Sequence, residues 1–302
     1  MVKRVPRGRR HAVMVTVATD TPPGRHLRMV LMRHGVTVPN IGELDLLLTM
    51  GRDAEAAGWD GFFLWDHIRF SDTFDVSVHD PWIALAALAA TTERIRLGPL
   101  VTPLARRRPW TVARETVTLD HLSHGRVIFG AGLGFPPDVE FGSFGEPTGD
   151  RERAELLDEG LSILDGLWSG EPVTVDGRHH RMDDVRFLPR PVQRPRIPVW
   201  IAGMWPNRAP FRRAARWDGV VPIAGVDGGP CPIPPDAFAE ALAFTRSVRD
   251  SDAPFDAVVQ GAPDTEPGDY AAAGATWWLL TDDGESGWED RILGQIRGGP
   301  PH

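Results

Sequence analysis

The chain is poor in lysine, in cysteine and in long apolar runs, and each scarcity removes a class of function. Lys3 is the sole lysine among 302 residues, and arginine supplies the rest of the positive charge. Because Lys3 lies in a polar opening stretch, Schiff-base chemistry and a phosphate-loop lysine are excluded. The single cysteine, Cys231, excludes an internal disulfide and any metal site built from several thiolates. No apolar run approaches the roughly 20 residues that a membrane helix needs. The net charge of −8 disfavours general nucleic-acid binding. What is present is an ordinary globular composition, 42% hydrophobic and 25% charged, expected of a cytoplasmic protein.

Residues 1–31 differ from the rest. They hold Lys3, Arg4, Arg7, Arg9, Arg10, Arg25 and Arg28 against one acid, Asp20. The weak apolar core Val13–Thr19 and the lack of a cleavage site argue against a targeting sequence. The segment reads as a disordered extension or an over-called start, with Met32 as the first residue. Residues 32–302 are expected to form one domain, close in length to the roughly 250 residues of a (β/α)₈ barrel.

Strand-like and helix-like runs alternate from there. Val36–Val38 precedes a helix from Glu43 to Ala57, closed by Gly58. Phe62–Trp65 precedes an alanine-rich helix from Pro81 to Thr91. Ile95–Val101 precedes a helix opened by Pro109 and ending at Leu122. Val127–Gly130 is the fourth strand. A Gly/Pro-rich loop, 135–149, follows it as an insertion, then a helix from Arg151 to Trp168 with leucines on one face. Asp176-Gly177 marks a hairpin. Val199–Ala202, a helix from Asn207 to Arg216, Gly219–Val221, a loop at 223–235 and a helix to about Arg249 continue the pattern. Val258-Val259, Thr276–Leu280 and a helix from Glu289 to Arg297 complete it. Eight strands with helices between them predict a (β/α)₈ barrel, with an open doubly wound sheet as runner-up.

The stretch Gly58 to His67 carries the chemistry. Its apolar run Phe62–Trp65 stops at Asp66 and His67. In a parallel barrel, polar residues at a strand's C-terminal end lie on the catalytic face. Asp66 and His67 are therefore candidate catalytic residues, against the alternative that His67 only satisfies a core hydrogen bond. Glu115 is expected to pair with Arg114, and Arg106 to Arg108 to form a solvated loop. Trp59, Trp65 and Trp110 read as packing residues.

Three motifs resemble the bacterial luciferase-like superfamily of flavin-dependent oxidoreductases. They are Ala56–Phe62 leading to Asp66-His67; Thr102–Trp110 with Ala113–Glu115 and Leu119–Arg126; and Pro198–Gly203 with Arg213–Gly219. Each is weak alone; their order and spacing make the match specific. Beyond residue 250 the match is poorer and the chain looks shortened. The resemblance implies a barrel holding FMN or the deazaflavin coenzyme at its mouth, for hydride transfer or oxygen activation on a small organic substrate. Thr102 matches a position whose hydroxyl approaches the ring. Gly130, Gly132 and Gly134 line the mouth, where missing side chains let a flat ring approach the backbone. Asp66 fixes the tautomer of His67 or contacts the cofactor. The turn Ala202-Gly203 to Asn207-Arg208 offers backbone N–H groups and a helix start to a phosphate. A non-proline cis peptide is expected at Pro99–Leu100, and a homodimer is left open.

Two rival functions remain. A metal-dependent barrel hydrolase needs several ligands in register, whereas His179-His180 lies in the hairpin and His121 and His124 flank a helix end. A barrel that binds a flavin without turnover is the other, since fold does not fix function.

Overall fold

Glycine and proline set the element boundaries that the alternation predicts. In the computed structural model, residues 32–301 are described, apart from 74, 227–228, 263–264, 283 and 285–286; the expectations for residues 1–31 lie outside them. The first elements are β1 (Arg33–Val38), α1 (Leu44–Ala57), β2 (Gly61–Leu64), α2 (Pro81–Thr91), β3 (Arg96–Pro99), β4 (Thr102–Pro103), α3 (Pro109–Leu122) and β5 (Phe129–Gly132). Then come α4 (Pro137–Glu140), α5 (Asp150–Ser169), β6 (Val173–Asp176), β7 (Arg181–Val185), β8 (Val199–Met204) and α6 (Arg208–Ala214). The chain closes with β9 (Gly219–Val226), β10 (Gly229–Cys231), α7 (Pro235–Ser247), β11 (Asp256–Gly261), α8 (Pro267–Ala272), β12 (Trp277–Leu280) and α9 (Trp288–Gly298). Gly58 ends α1 at φ +95°, the left-handed C-cap that glycine allows. Asp80 caps α2 by accepting from the Ile83 N–H at 3.0 Å, with Pro81 in the first turn.

The main sheet runs β3-β2-β1-β12-β11-β9-β8-β5-β4 with parallel pairing throughout. Its two ends belong to one stave. β3 pairs with β2, the chain passes a cis peptide at Leu100–Val101, and β4 pairs with β5. A parallel bridge between Leu97 and Val127 links β3 to the approach of β5. The sheet therefore closes into the expected (β/α)₈ barrel, and the open sheet is excluded. The cis bond lies one residue later than the expected Pro99–Leu100.

Alternation divides each stave between lumen and helices. Phe63, Ile128, Trp200, Val221, Val258, Trp277 and Leu279 fill the interior with Leu100. Trp200 and Trp277 meet edge to face at 5.2 Å, and Phe63 lies 5.3 Å from Trp200. The lumen is a packed plug, so chemistry is confined to the ends of the strands. On the outer side, Phe129 packs between Trp82 of α2 and Trp168 of α5, each ring 6.1 Å away.

Three local readings are corrected. The fourth strand begins two residues later than expected, so Gly130 and Gly132 lie within it. The stretch 135–149 contains α4 and a 3₁₀ turn at Gly142–Phe144. β9 and the antiparallel β10 occupy part of the expected loop 223–235. The predicted hairpin forms as β6–β7, in a two-stranded sheet separate from the barrel.

Candidate active site

Every βα connection leaves its strand at the same end of a parallel barrel, so residues just past β1, β2, β4 and β5 converge. Asp66 is buried among them. Its carboxylate accepts from Thr102 Oγ1 at 2.8 Å, Arg106 Nη2 at 3.1 Å and Arg107 Nη2 at 2.8 Å. Arg106 also donates to the Asp66 backbone carbonyl. Burial alone would raise the pKa of Asp66. The guanidinium groups of Arg107 and Arg106, with their hydrogen bonds and that of Thr102, outweigh burial and hold the carboxyl below its ordinary value. The same pairing raises the pKa of Arg107 against the opposing effect of its own burial.

His67 belongs to a second carboxylate. Its Nδ1 lies 2.9 Å from Oε1 of Glu140; that oxygen also accepts from the backbone N–H of Arg69 at 3.3 Å, and Oε2 accepts from the N–H of Ile68 at 3.2 Å. Asn40, fully buried beyond β1, donates to the carbonyls of His67 (2.8 Å) and His79 (2.7 Å) and accepts from the His67 N–H (3.1 Å). Backbone and ring are thus held separately. Trp65 and Phe70 flank the ring at 5.7 and 5.1 Å. The His67 side chain is 17% exposed and that of Glu140 1%. With Nδ1 held, the imidazole is oriented with Nε2 left for another partner.

Arg106 joins the two halves. Its Nη2 lies 3.1 Å from Asp66 Oδ1 and 3.3 Å from Glu140 Oε2. The result is a continuous run of charge from Arg107 through Asp66, Arg106 and Glu140 to His67. Asp66 therefore does not fix the His67 tautomer; Glu140 does. Nor are Arg106 and Arg107 solvated, since their side chains are 5% and 18% exposed. The expected Glu115–Arg114 pair is also absent. Arg114 donates to the Leu188 carbonyl at 2.6 Å and stacks over Phe187, and Glu115 Oε2 is buried without a hydrogen-bond partner. Burial raises the pKa of Glu115; Arg107 opposes this, while Asp80 and Asp66 add to it.

The glycine run also answers to packing within the barrel. A Cβ at Gly130 would lie 2.4 Å from the Pro99 carbonyl oxygen, and one at Gly132 would lie 2.7 Å from Val101 Cγ2. These glycines let the third stave cross β5 where it changes partner. Gly134 has φ +84°, and a Cβ there would press on Pro103 and Phe141. Above the plug, Trp65, Val101, Ala202, Ile223, Gln260 and Thr281 are half-exposed. Thr37, whose register partner Phe63 lies in the lumen, has a buried hydroxyl with no hydrogen-bond partner.

Two backbone donors of the expected phosphate turn are engaged within the protein. The N–H of Trp205 reaches the Ile223 carbonyl at 2.9 Å and that of Asn207 the Met204 carbonyl at 3.1 Å. Asn207 does cap α6, accepting from the Ala209 N–H at 3.2 Å. Gly203 faces α6: a Cβ there would lie 2.2 Å from Pro210 Cβ. Arg208 lies over the Phe244 ring at 5.1 Å. This turn is a tight strand–helix junction, with Arg208 as its positive charge.

A depression of about 480 Å³ lies away from the mouth, on the outer wall beside α5, lined by Glu155, Asp158, Glu159, Arg178, His179 and Arg216. Its carboxylates pair with Arg178, Arg213, Arg216 and His180, so it is a salt-bridged surface. Among the described residues, no three His, Cys, Asp or Glu side chains are grouped as a metal ion requires. Sequence reading missed Asn40, Arg106, Arg107 and Glu140. Asn40 and Glu140 had one available signal, a polar residue shortly past a strand end.

Comparison with known proteins agrees with this architecture. The family model described as luciferase-like monooxygenase matches residues 27–249. An F420-dependent glucose-6-phosphate dehydrogenase of Microbacterium testaceum is 34% identical over 201 residues, covering 65% of this chain and 55% of that protein. An uncharacterised protein of Mycobacterium tuberculosis is 41% identical over 122 residues, 40% of this chain and 42% of that one. The chain thus spans about half the length of the curated relatives it matches. Among solved structures, an F420-dependent secondary alcohol dehydrogenase superposes with TM-score 0.70 at 16% identity, covering 88% of this chain and 98% of that one. The FMN-bound oxygenating component of a Pseudomonas putida diketocamphane monooxygenase gives 0.63 at 17% identity, covering 76% and 67%. At these identities the two structures share the fold.

Proposed function

We propose, because this chain belongs to the luciferase-like monooxygenase family, that it is a flavin-dependent oxidoreductase using FMN or the deazaflavin coenzyme at the barrel mouth. The observation that carries this reading is the buried run from Arg107 to His67, which ends in a partly exposed imidazole on the catalytic face. Several curated relatives are named F420-dependent dehydrogenases, which favours the deazaflavin and hydride transfer.

The residues present fit such a ring. The orphaned hydroxyl of Thr37 is a donor awaiting an acceptor, and leaving it unpaired costs about 1–3 kcal/mol. Ala202 and Val101 offer apolar walls beside the Gly132 backbone. The phosphate-bearing tail takes its positive charge from Arg208, exposed at the start of α6. When bound, the coenzyme supplies the hydride acceptor or donor. His67 is the general acid/base: Nε2 takes the proton of a substrate hydroxyl, or returns it, while Glu140 holds Nδ1. Asp66 and Arg106 keep Glu140 in place, and Thr102 completes the shell of Asp66. A small-molecule substrate, a cytoplasmic location and no nucleic-acid or membrane partner go with this reading. Among the described residues no helix is long and apolar enough to cross a membrane.

The test is titration of the purified protein with FMN and with the deazaflavin coenzyme, followed by absorbance, and then anaerobic reduction by candidate alcohols. Saturable binding of one coenzyme is expected. Failure of both to bind at roughly 100 μM, a concentration at which even weak specific sites fill, would sink the proposal.

A further inference from the structure

The distribution of charge around the mouth narrows the substrate. The loops after β1, β5, β8, β9, β11 and β12 contain no basic residue before their next helix; indeed no Lys, Arg or His lies between Arg216 and Arg246 or between Arg249 and Arg291. The last of these stretches carries Asp282 beside β12 and Glu266 before α8, and Arg291 beyond it pairs with Asp282 at 2.7 Å. All basic loop residues at this end follow β2 or β4. Of these, Arg106 and Arg107 are held by Asp66 and Glu140. Arg108 lies over the Trp110 ring at 5.9 Å. Arg69 and Arg108 are exposed, and Arg69 donates to Ser143 Oγ at 2.7 Å; Arg208, also exposed, opens α6 and is the arginine given above to the coenzyme phosphate.

The same rim is apolar at its surface. Ile68 is 50% exposed, Phe135 40% and Phe144 52%. Ile68 follows His67 directly, and the Arg69–Ser143 bond ties its loop to the one bearing Phe144. Trp65 and Phe70 stack at 6.5 Å beside the imidazole. Exposed apolar side chains grouped at one opening mark a binding surface rather than chance exposure. A phosphate ester entering here would leave bulk water for aromatic walls and find two exposed loop arginines, Arg69 turned to Ser143 and Arg108 to Trp110, whereas tight phosphate sites use several charge-assisted donors aimed at the ligand.

We infer that the substrate of this mouth is an uncharged organic molecule with an apolar body and one hydroxyl or carbonyl group, and that phosphorylated substrates are excluded. This rests on the function proposed above, in which His67 addresses that oxygen. Phe70, Ile68 and Phe144 are then specificity-determining residues. The sugar phosphate in the name of several relatives belongs to those proteins, and the charge pattern of this mouth departs from what such a ligand requires.

Calorimetric titration tests it, on the protein alone and on the coenzyme-loaded protein, with cyclohexanone, cyclohexyl phosphate and glucose 6-phosphate as probes. Cyclohexanone is expected to bind, at least roughly tenfold tighter than either phosphate, and Phe70→Asp should weaken it. Phosphate binding as tight as that of cyclohexanone, particularly if lost in Arg69→Gln, would overturn the inference. So would binding of none of the three. Coenzyme binding is read separately from its absorbance, so failure there strikes the proposed function and leaves the selectivity among the three probes to be judged on the protein alone.

Discussion

Replacing Asp66 by Asn tests whether this residue is the keystone of the mouth. Asn keeps the shape and loses the charge. Its single carbonyl oxygen replaces a carboxylate that accepts from Thr102, Arg106 and Arg107, and its amide N–H groups are turned toward a guanidinium. Removing one partner of a buried ion pair costs about 3–5 kcal/mol. Arg106 retains Glu140 and the Asp66 carbonyl, so the lower end applies, about 3 kcal/mol. At roughly 2–4 °C per kcal/mol for a large domain, Tm should fall by about 6–12 °C at neutral pH. The pH dependence carries a definite sign. The folded pKa of Asp66 lies below its unfolded value, so its contribution is complete above about pH 4 and is lost as pH falls through the folded value. The stability gap between wild type and Asp66→Asn should therefore narrow as pH is lowered from about 5 toward 3. Thermal unfolding across that range measures it. A gap under about 1 kcal/mol at pH 7, or one that does not shrink in acid, would refute the reasoning.

Three further outcomes follow from the geometry. His67→Ala should lower kcat by about 10²–10⁴ while leaving Tm nearly unchanged, because Glu140 keeps Arg106 and the Ile68 and Arg69 N–H groups; an equal loss of folding would make His67 a packing residue. Thr37→Val removes an unpaired buried hydroxyl, so the unliganded protein should be no less stable, whereas coenzyme affinity should drop; unchanged affinity would show that the hydroxyl meets no ligand. Glu115→Gln should raise Tm at neutral pH, because burial lifts the folded pKa of Glu115 and the ionised form is disfavoured there; the gain should disappear as pH falls below its ordinary range, and a loss at pH 7 would contradict the burial argument.

Much of the barrel was legible because its signals are local. Gly58 needs only its own φ of +95° to stop α1, and Asp80-Pro81 starts α2 with one side-chain bond. The apolar period of α5 reads directly as one buried face, with Leu157, Leu161, Leu164 and Leu167 all inward. The glycines after residue 129 also meet a packing requirement that the sequence does not display. Their need is set by Leu100 and Val101 on a neighbouring stave, and a sequence does not state which strand passes over which. The same limit hid the role of Gly203, which is small because Pro210 lies against it.

The site was legible at Asp66 and His67 and misread at their partners, and arginine explains why. A run of three arginines ordinarily reads as a solvated loop, because charge is costly to bury. Here two of the three are buried, which only a carboxylate close in space can allow. That carboxylate is some 40 residues away in sequence, and the second, Glu140, is 73 residues from its histidine. Strand-end geometry brings them together, so the pairing is a property of the barrel and not of any local motif. The bridge also depends on the guanidinium itself. Arg106 reaches both Asp66 and Glu140 through a single nitrogen, Nη2, at the tip of its planar group, a position that the differently shaped ammonium of lysine does not reproduce. Arg106→Lys at this position would keep the charge and lose the bridge, freeing Glu140 and with it the orientation of His67. In a chain whose sole lysine is Lys3, arginine both charges and shapes its catalytic face.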